Sequence, residues 1–296
     1  MAGLSMMTWA IGFPVAELLL QDWSPLFLIT VRMTLAIALM IPVWMIIEGL
    51  PLLSSKQIIK GLITGGIGFG VGAHMMLVAQ DLTDPVTVAL ISATAPVAGA
   101  LLEVRAGTRR ISIRFMIGLG ATVAGGFIAT NGLPSGQLGL GAAYAVGAVF
   151  LWTWASMAVN RDLPMLGPIG RSTLTFTGGA VALWIMAVGT FLSGALVLPS
   201  EPISWEQIQL LLIYTVIAMA ISQVLWIASV GKLGVALACF HMNLTPFFVM
   251  LIMVGLGAGW YWPQAYGAAL VGIGVLIAQK KRRQAPPETE VISHTP

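Results

Sequence analysis

Charge is what this chain has least of. Only 8% of its 296 residues are Asp, Glu, Lys or Arg, against roughly 25% in an average soluble domain. A water-soluble globular protein is thereby excluded. Cysteine is almost absent as well: Cys239 is the one thiol, so no intrachain disulfide can form, and its apolar surroundings read as a small buried residue. The three histidines, His74, His241 and His294, have no metal-ligand spacing, and no metal or other cofactor is expected. There is no Walker A pattern for ATP use. No nucleophile–base pair stands at membrane depth, so an enzyme is not expected. Residues 1–10 carry no Lys or Arg and lead into Pro14 and Glu17, a start in which no cleavable signal peptide is expected. The net charge of +3 would suggest a nucleic-acid partner, but the basic residues sit in short loops and form no patch.

What fills the chain is apolar: 58% of residues are hydrophobic and the mean hydropathy is +0.93. This is the composition of an integral membrane protein, with the lipid bilayer as its main partner. A helix needs about 20 apolar residues to cross the hydrocarbon core. Segments near that length run from about 4–20, 25–47, 58–80, 85–102, 111–130, 138–159, 168–192, 205–228, 234–256 and 263–280. The expected fold is all-α, with ten transmembrane helices. Pro, Gly, Asp and Asn mark the breaks, as at Asp22–Pro25, Thr83–Pro85 and Asn131–Gly136. The polar, proline-containing tail 281–296 reads as disordered.

The chain also repeats itself. His74–Glu103 holds a helix end, a polar turn and an apolar run containing Pro96, and the same design returns over Gln223–Met253 with Pro246. Pro96 and Pro246 lie 150 residues apart, Ala79 and Ala228 lie 149 apart, and Gly118 and Gly125 are echoed by Gly267 and Gly274. Residues 1–132 and 138–280 thus read as two related five-helix repeats. Of 14 Lys and Arg, 13 fall in or beside loops on one face, while Asp22, Asp81, Asp84, Glu201 and Glu206 occupy the other. The positive-inside rule then puts both termini in the cytoplasm, across the inner membrane of the cell. An odd number of spans per half inverts the two repeats, an architecture suited to alternating access.

Polar groups inside the spans are few. Arg32, about eight residues into the second span, either binds an anionic substrate group or snorkels and bonds helix-end carbonyls. Glu17 is the acid inside an apolar span, a proton-coupling carboxylate or a solvated one, and could pair with Arg32. His74 and Gln223, 149 residues apart, could meet near the midplane. Ser92 precedes Pro96, and His241 and Asn243 precede Pro246. Each of these either lines a pocket or bonds between helices. Pro96 and Pro246 break the helical ladder and are candidate hinges. Trp9 and Trp154 both stand in Thr-Trp-Ala and could form cavity walls, whereas Trp23, Trp205, Trp260 and Trp262 read as interface anchors. The GxxxG spacings in the third span, Gly61/Gly65, Gly66/Gly70 and Gly68/Gly72, permit close helix packing, within the bundle or between subunits of a weak dimer.

The ten spans, Arg32 in the second, ALISATAPVAGALLE (Pro96 to Glu103 within it) and RRISIRFMIGLGATVAGG resemble the EamA-type branch of the drug/metabolite transporter superfamily. The likeness covers nearly the whole chain. It departs after the ninth span, where Gly257–Trp260 stands in place of an acid. Within that family the chain is most similar to the YddG-type aromatic amino-acid exporters. The resemblance implies export of Phe, Tyr and Trp, with Met at the margin; the residues themselves suggest a central cavity between the halves lined by Trp9, His74, Trp154, Gln223 and Asn243. Facilitated diffusion and proton exchange both fit. A multidrug or other metabolite exporter, and a non-transporting receptor or scaffold, are the competing readings.

Overall fold

The computed structural model describes residues 1–49, 51–82, 88, 91–92, 94–108, 111–129, 139–255, 257, 259–260 and 262–279. Among them the secondary structure is helical throughout. In chain order the elements are α1 (Ala2–Ala10), α2 (Gly12–Leu19), α3 (Pro25–Ile47), α4 (Ser55–Thr64), α5 (Gly72–Leu82), α6 (Ala95–Arg105) and α7 (Ile113–Ala129). There follow α8 (Leu140–Asp162), α9 (Pro168–Leu192), α10 (Trp205–Thr215), α11 (Ser222–Leu233), α12 (Val235–Phe240), α13 (Thr245–Gly255) and α14 (Trp262–Gln279). Short π-helical turns, Gly65–Val71 and Val216–Ile221, fuse α4 to α5 and α10 to α11.

Among the described residues, seven helical stretches are long and apolar enough to cross a bilayer: Ala2–Leu19, Pro25–Ile47, Ser55–Leu82, Leu140–Asp162, Pro168–Leu192, Trp205–Leu233 and Val235–Gly255. Shorter apolar helices occupy Ile113–Gly125 and Ala265–Ala278. The chain is a multi-pass, all-helical membrane protein. Part of the fourth expected span (85–87, 89–90 and 93), the turn at Thr83–Pro85, the 131–137 linker and the 281–296 tail lie outside the described residues.

The third and eighth expected spans share a build. Each opens on a reciprocal capping box, in which two orphan N–H groups of a helix start are satisfied at once. Gln57 N–H donates to Ser54 Oγ (3.4 Å) and Ser54 N–H to Gln57 Oε1 (2.9 Å). The same pair recurs 150 residues later, with Gln207 N–H on Ser204 Oγ and Ser204 N–H on Gln207 Oε1, both at 3.1 Å. Each box is followed by an α-helix, a π turn and a second α-helix. The two prolines also match in setting. Pro96 sits at the start of α6, just after a turn at Thr94, while Pro246 is the second residue of α13, just after the 3₁₀ turn His241–Leu244.

Glycine decides how closely the helices pack. A Cβ on Gly65 would run into the backbone of Thr175, and one on Gly178 into the backbone of Leu62, so α4 and its π turn lie directly against α9. The GxxxG glycines of this region are therefore packing surfaces of the bundle. A Cβ on Gly118 would meet Gly274 O at 2.6 Å, and one on Gly125 would meet Gly267 O at 2.6 Å. The later residue of α7 meets the earlier one of α14, so the two helices run antiparallel. The glycine recurrence seen in the sequence is a direct contact between the two helices that carry it.

Glu48, on the last turn of α3, adds a polar tie. Its Oε1 and Oε2 accept from Ile169 N and Gly170 N, both at 2.9 Å, at the start of α9. A carboxylate on orphan N–H groups at a helix start satisfies them and the helix dipole together. A side chain on Gly167 or Gly170 would strike this carboxylate. Removing one partner of a buried polar contact costs about 1–3 kcal/mol. Glu48→Ala is expected to lower thermal stability in detergent by that order, and Glu48→Gln by less. Equal melting of both variants with wild type would show the tie to be idle.

Two readings need correction. Trp23 is 1% exposed, its ring tilted against Phe27 at 5.0 Å, and is a core residue and not an interface anchor. Trp205, Trp260 and Trp262 are 70%, 45% and 60% exposed. Second, Glu17 is exposed on α2 and does not pair with Arg32. The deeply buried acid is Glu103, 5% exposed, whose Oε1 accepts from Ala236 N at 3.2 Å.

Candidate functional site

A cavity of about 960 Å³, its open mouth included, lies between α1, α2, α3, α5, α8, α9 and the α10–α11 span. Its lining follows helical stripes. The first span contributes Met6, Trp9, Phe13 and Ala16, spaced three or four apart, and α5 contributes Gly72, Ala73, Met76, Leu77 and Gln80. The eighth contributes Tyr214, Ala218, Met219, Ser222, Gln223 and Trp226. These positions fall on one face of each helix because 3.6 residues make a turn.

The walls are aromatic and apolar. Trp9 packs edge-on against Phe13 at 5.0 Å. Trp152 meets the fully buried Phe69 at 4.8 Å, and Phe69 meets Phe176 at 5.9 Å, so one aromatic cluster backs two lining rings. At the far end Trp226 Nε1 donates to Ser156 Oγ (2.8 Å), which donates to Trp152 O (2.8 Å). This chain of bonds fixes the floor. Beside it Ser5 Oγ donates to Ser222 O (2.8 Å) and Ser222 Oγ to Ser5 O (3.2 Å), holding α1 on α11.

Arg32 is 7% exposed and lines the cavity. From Pro25 it stands about 10 Å along α3 at 1.5 Å per residue. Its Nε donates to Tyr214 O (3.3 Å) and its Nη2 to Ala218 O (3.2 Å), with the guanidinium 3.4 Å above the Tyr214 ring. Those carbonyls flank the α-to-π transition at Val216. A π turn shifts the backbone bonding register, and the planar fork of Arg spans the two carbonyls left on one face. Gly12 makes the space, since a Cβ there would come within 3.0 Å of the Tyr214 ring and of Ala218.

Of the residues singled out in the sequence, Trp9, Arg32 and Gln223 reach the cavity wall. Gln223 is 3% exposed, and its Nε2 has no hydrogen-bond partner among the described residues. His74 and Trp154 stand outside the lining. Each is one helical step from a residue within it, namely Ala73 and Thr153. His74 is half-buried with Nδ1 unpartnered among the described residues. Ser92 (6% exposed) and Asn243 (2% exposed) are buried away from the cavity, and His241 lies 3.2 Å from Leu237 O through Nδ1. Pro96 is not in the lining either. Sequence reasoning passed over Tyr214, Trp152, Trp226, Phe13 and Gln80. The stripe of the first span, Met6-Trp9-Phe13-Ala16, was the signal that could have found part of the wall.

Residues 1–131 match the EamA-like transporter family. No curated protein matches the chain. A solved crystal structure that is 16% identical superposes with a TM-score of 0.76, covering 94% of this chain and 94% of its own. At that identity the likeness establishes the fold alone. The family match over the first 131 residues supports the resemblance to the drug/metabolite transporter superfamily drawn from the sequence.

Proposed function

We propose that this protein is a membrane transporter of small organic solutes, and that aromatic amino acids, with Met at the margin, are its substrates. The observation that carries the reading is the central cavity, walled by Trp9, Phe13, Trp152, Phe176, Tyr214 and Trp226, with Arg32, Gln80 and Gln223 as its polar points. An aromatic side chain would bury against the rings, while the polar end meets guanidinium and amides. The EamA-like match of the first half supports transport over a receptor or scaffold. Capping boxes and π turns that recur 150 residues apart support two repeats, and the odd span count inverts them. Positive-inside orientation puts the basic helix ends in the cytoplasm of a cell with this inner-membrane protein. Arg32 and Gln80, near the ends of their spans away from the basic loops, then line the outer half of the cavity, and Met6 and Trp226 its inner half.

The test is flux of labelled tryptophan, phenylalanine and methionine into liposomes holding the purified protein, with and without a pH gradient. Saturable flux supports the reading, and gradient-driven accumulation adds proton coupling. No flux for any of the three sinks the amino-acid assignment. In the same assay Gln223→Ala is expected to lower flux at subsaturating tryptophan by about tenfold, the cost of one lost polar contact of ~1.4 kcal/mol. His74→Ala is expected to remain within about twofold of wild type, since no contact of that worth is lost. The reverse ranking would place the substrate on the other face of α5.

A further inference from the structure

Resting on that transport reading, we infer that the cavity selects for a carboxylate and has no need of an ammonium. Its substrate class is then the aromatic monocarboxylates, of which aromatic amino acids are one kind.

The charge inventory of the wall drives this. Arg32 is the one charged side chain among the described lining residues; no Asp or Glu joins it. The other polar lining groups, among them Gln80, Gln223, Thr153, Ser222 and the Tyr214 hydroxyl, are neutral. Arg32 is held rigidly, by two carbonyls and the Tyr214 ring, yet neither carbonyl neutralises it. Two of its nitrogens are occupied, and Nη1 donates to no described residue although the residue borders the cavity. A guanidinium with no counter-ion in an apolar enclosure sets a positive potential across it. A carboxylate entering there gains a charge-assisted bond that water had been supplying. An ammonium gains only neutral amides and ring faces, and meets a like charge. A substrate's ammonium is therefore tolerated, with the carboxylate as the group recognised.

Tyr214 is the positioning residue of this arrangement. It carries the ring beneath the guanidinium and the carbonyl on Nε. The α-to-π step places Ala218 O for the second bond. The guanidinium is thus fixed before any substrate arrives, which lowers the ordering cost of binding.

The experiment is competition in proteoliposomes containing the wild-type protein, with labelled tryptophan as reporter. Indole-3-propionate lacks the amine of tryptophan, and tryptamine lacks its carboxylate. Indole-3-propionate is expected to inhibit at a concentration within about threefold of unlabelled tryptophan itself, a spread of well under one tenfold step. Tryptamine is expected to need at least about tenfold more. Tryptamine competing as well as tryptophan, or indole-3-propionate failing to compete, overturns the inference while leaving amino-acid transport intact. If labelled tryptophan does not move at all, labelled indole-3-propionate is assayed directly. Its saturable flux sustains the inference and removes the amino-acid reading, and its absence overturns both. Arg32→Gln, assayed where its melting matches wild type, is expected to lose the discrimination between the two competitors. Preserved discrimination in that variant overturns the role given to Arg32.

Discussion

Gly65→Ala is expected to cost this protein about 3 kcal/mol or more of stability, at the upper end of what overpacking does. One methyl group is added, but its position would fall on the carbonyl of Thr175, with Thr175 C and Cα also in the way. Backbone cannot swing aside as a flexible side chain does. The α4 π turn and α9 would have to separate, and with them the contacts of Gly66 and Gly70 on Gly178 and Gly179. In a bilayer this matters more than in water. Lipid is as apolar as the helix faces, so close van der Waals packing supplies much of helix association. The control is Gly189→Ala on the same α9, where an added Cβ meets nothing within 4 Å. That variant is expected to match wild type or gain up to about 1 kcal/mol from helix propensity. Thermal melting in detergent reads both. Equal melting of Gly65→Ala and Gly189→Ala would mean the two helices are not in backbone contact.

The second large effect is expected at Trp226. Its ring is 3% exposed, closes the cavity floor and is anchored through Ser156 to the carbonyl of Trp152. Trp226→Ala leaves a void and is expected to cost about 3–5 kcal/mol. Where protein survives, subsaturating tryptophan flux should fall about tenfold, the value of one lost ring-on-ring contact near 1.5 kcal/mol. Trp226→Phe keeps an aromatic floor and removes only the bond that Ser156 Oγ accepts, the hydroxyl still donating to Trp152 O, an expected loss of about 1 kcal/mol in stability. Its flux should stay within about threefold of wild type, because the ring contact is retained. A Phe variant as inactive as the Ala variant would assign Trp226 a hydrogen-bonding role toward substrate in place of a wall.

The amino-acid sequence alone commits this chain to a membrane, because 8% charge and 58% hydrophobic residues leave no other solvent. It determined most helix limits, since Pro25, Pro168 and the Ser54 and Ser204 caps are chemical start signals whose effect is local. The S-x-x-Q boxes were legible there too, and their 150-residue spacing strengthens the repeat that Pro96 and Pro246 announce. Only the tertiary structure decided which face of each helix meets the cavity. His74 and Trp154 were chosen for polarity and for a repeated tripeptide, yet the wall takes Ala73 and Met76 on one helix and Trp152 and Thr153 on the other. A soluble helix writes its inward face in its hydrophobic pattern. A membrane helix turns apolar residues to lipid and to neighbours alike, so its rotation is left unwritten and is set by where glycines let backbones touch. The same reason hid the partner of Arg32: its two carbonyls flank the start of a π turn some 180 residues away, and a backbone carbonyl leaves no mark in a sequence.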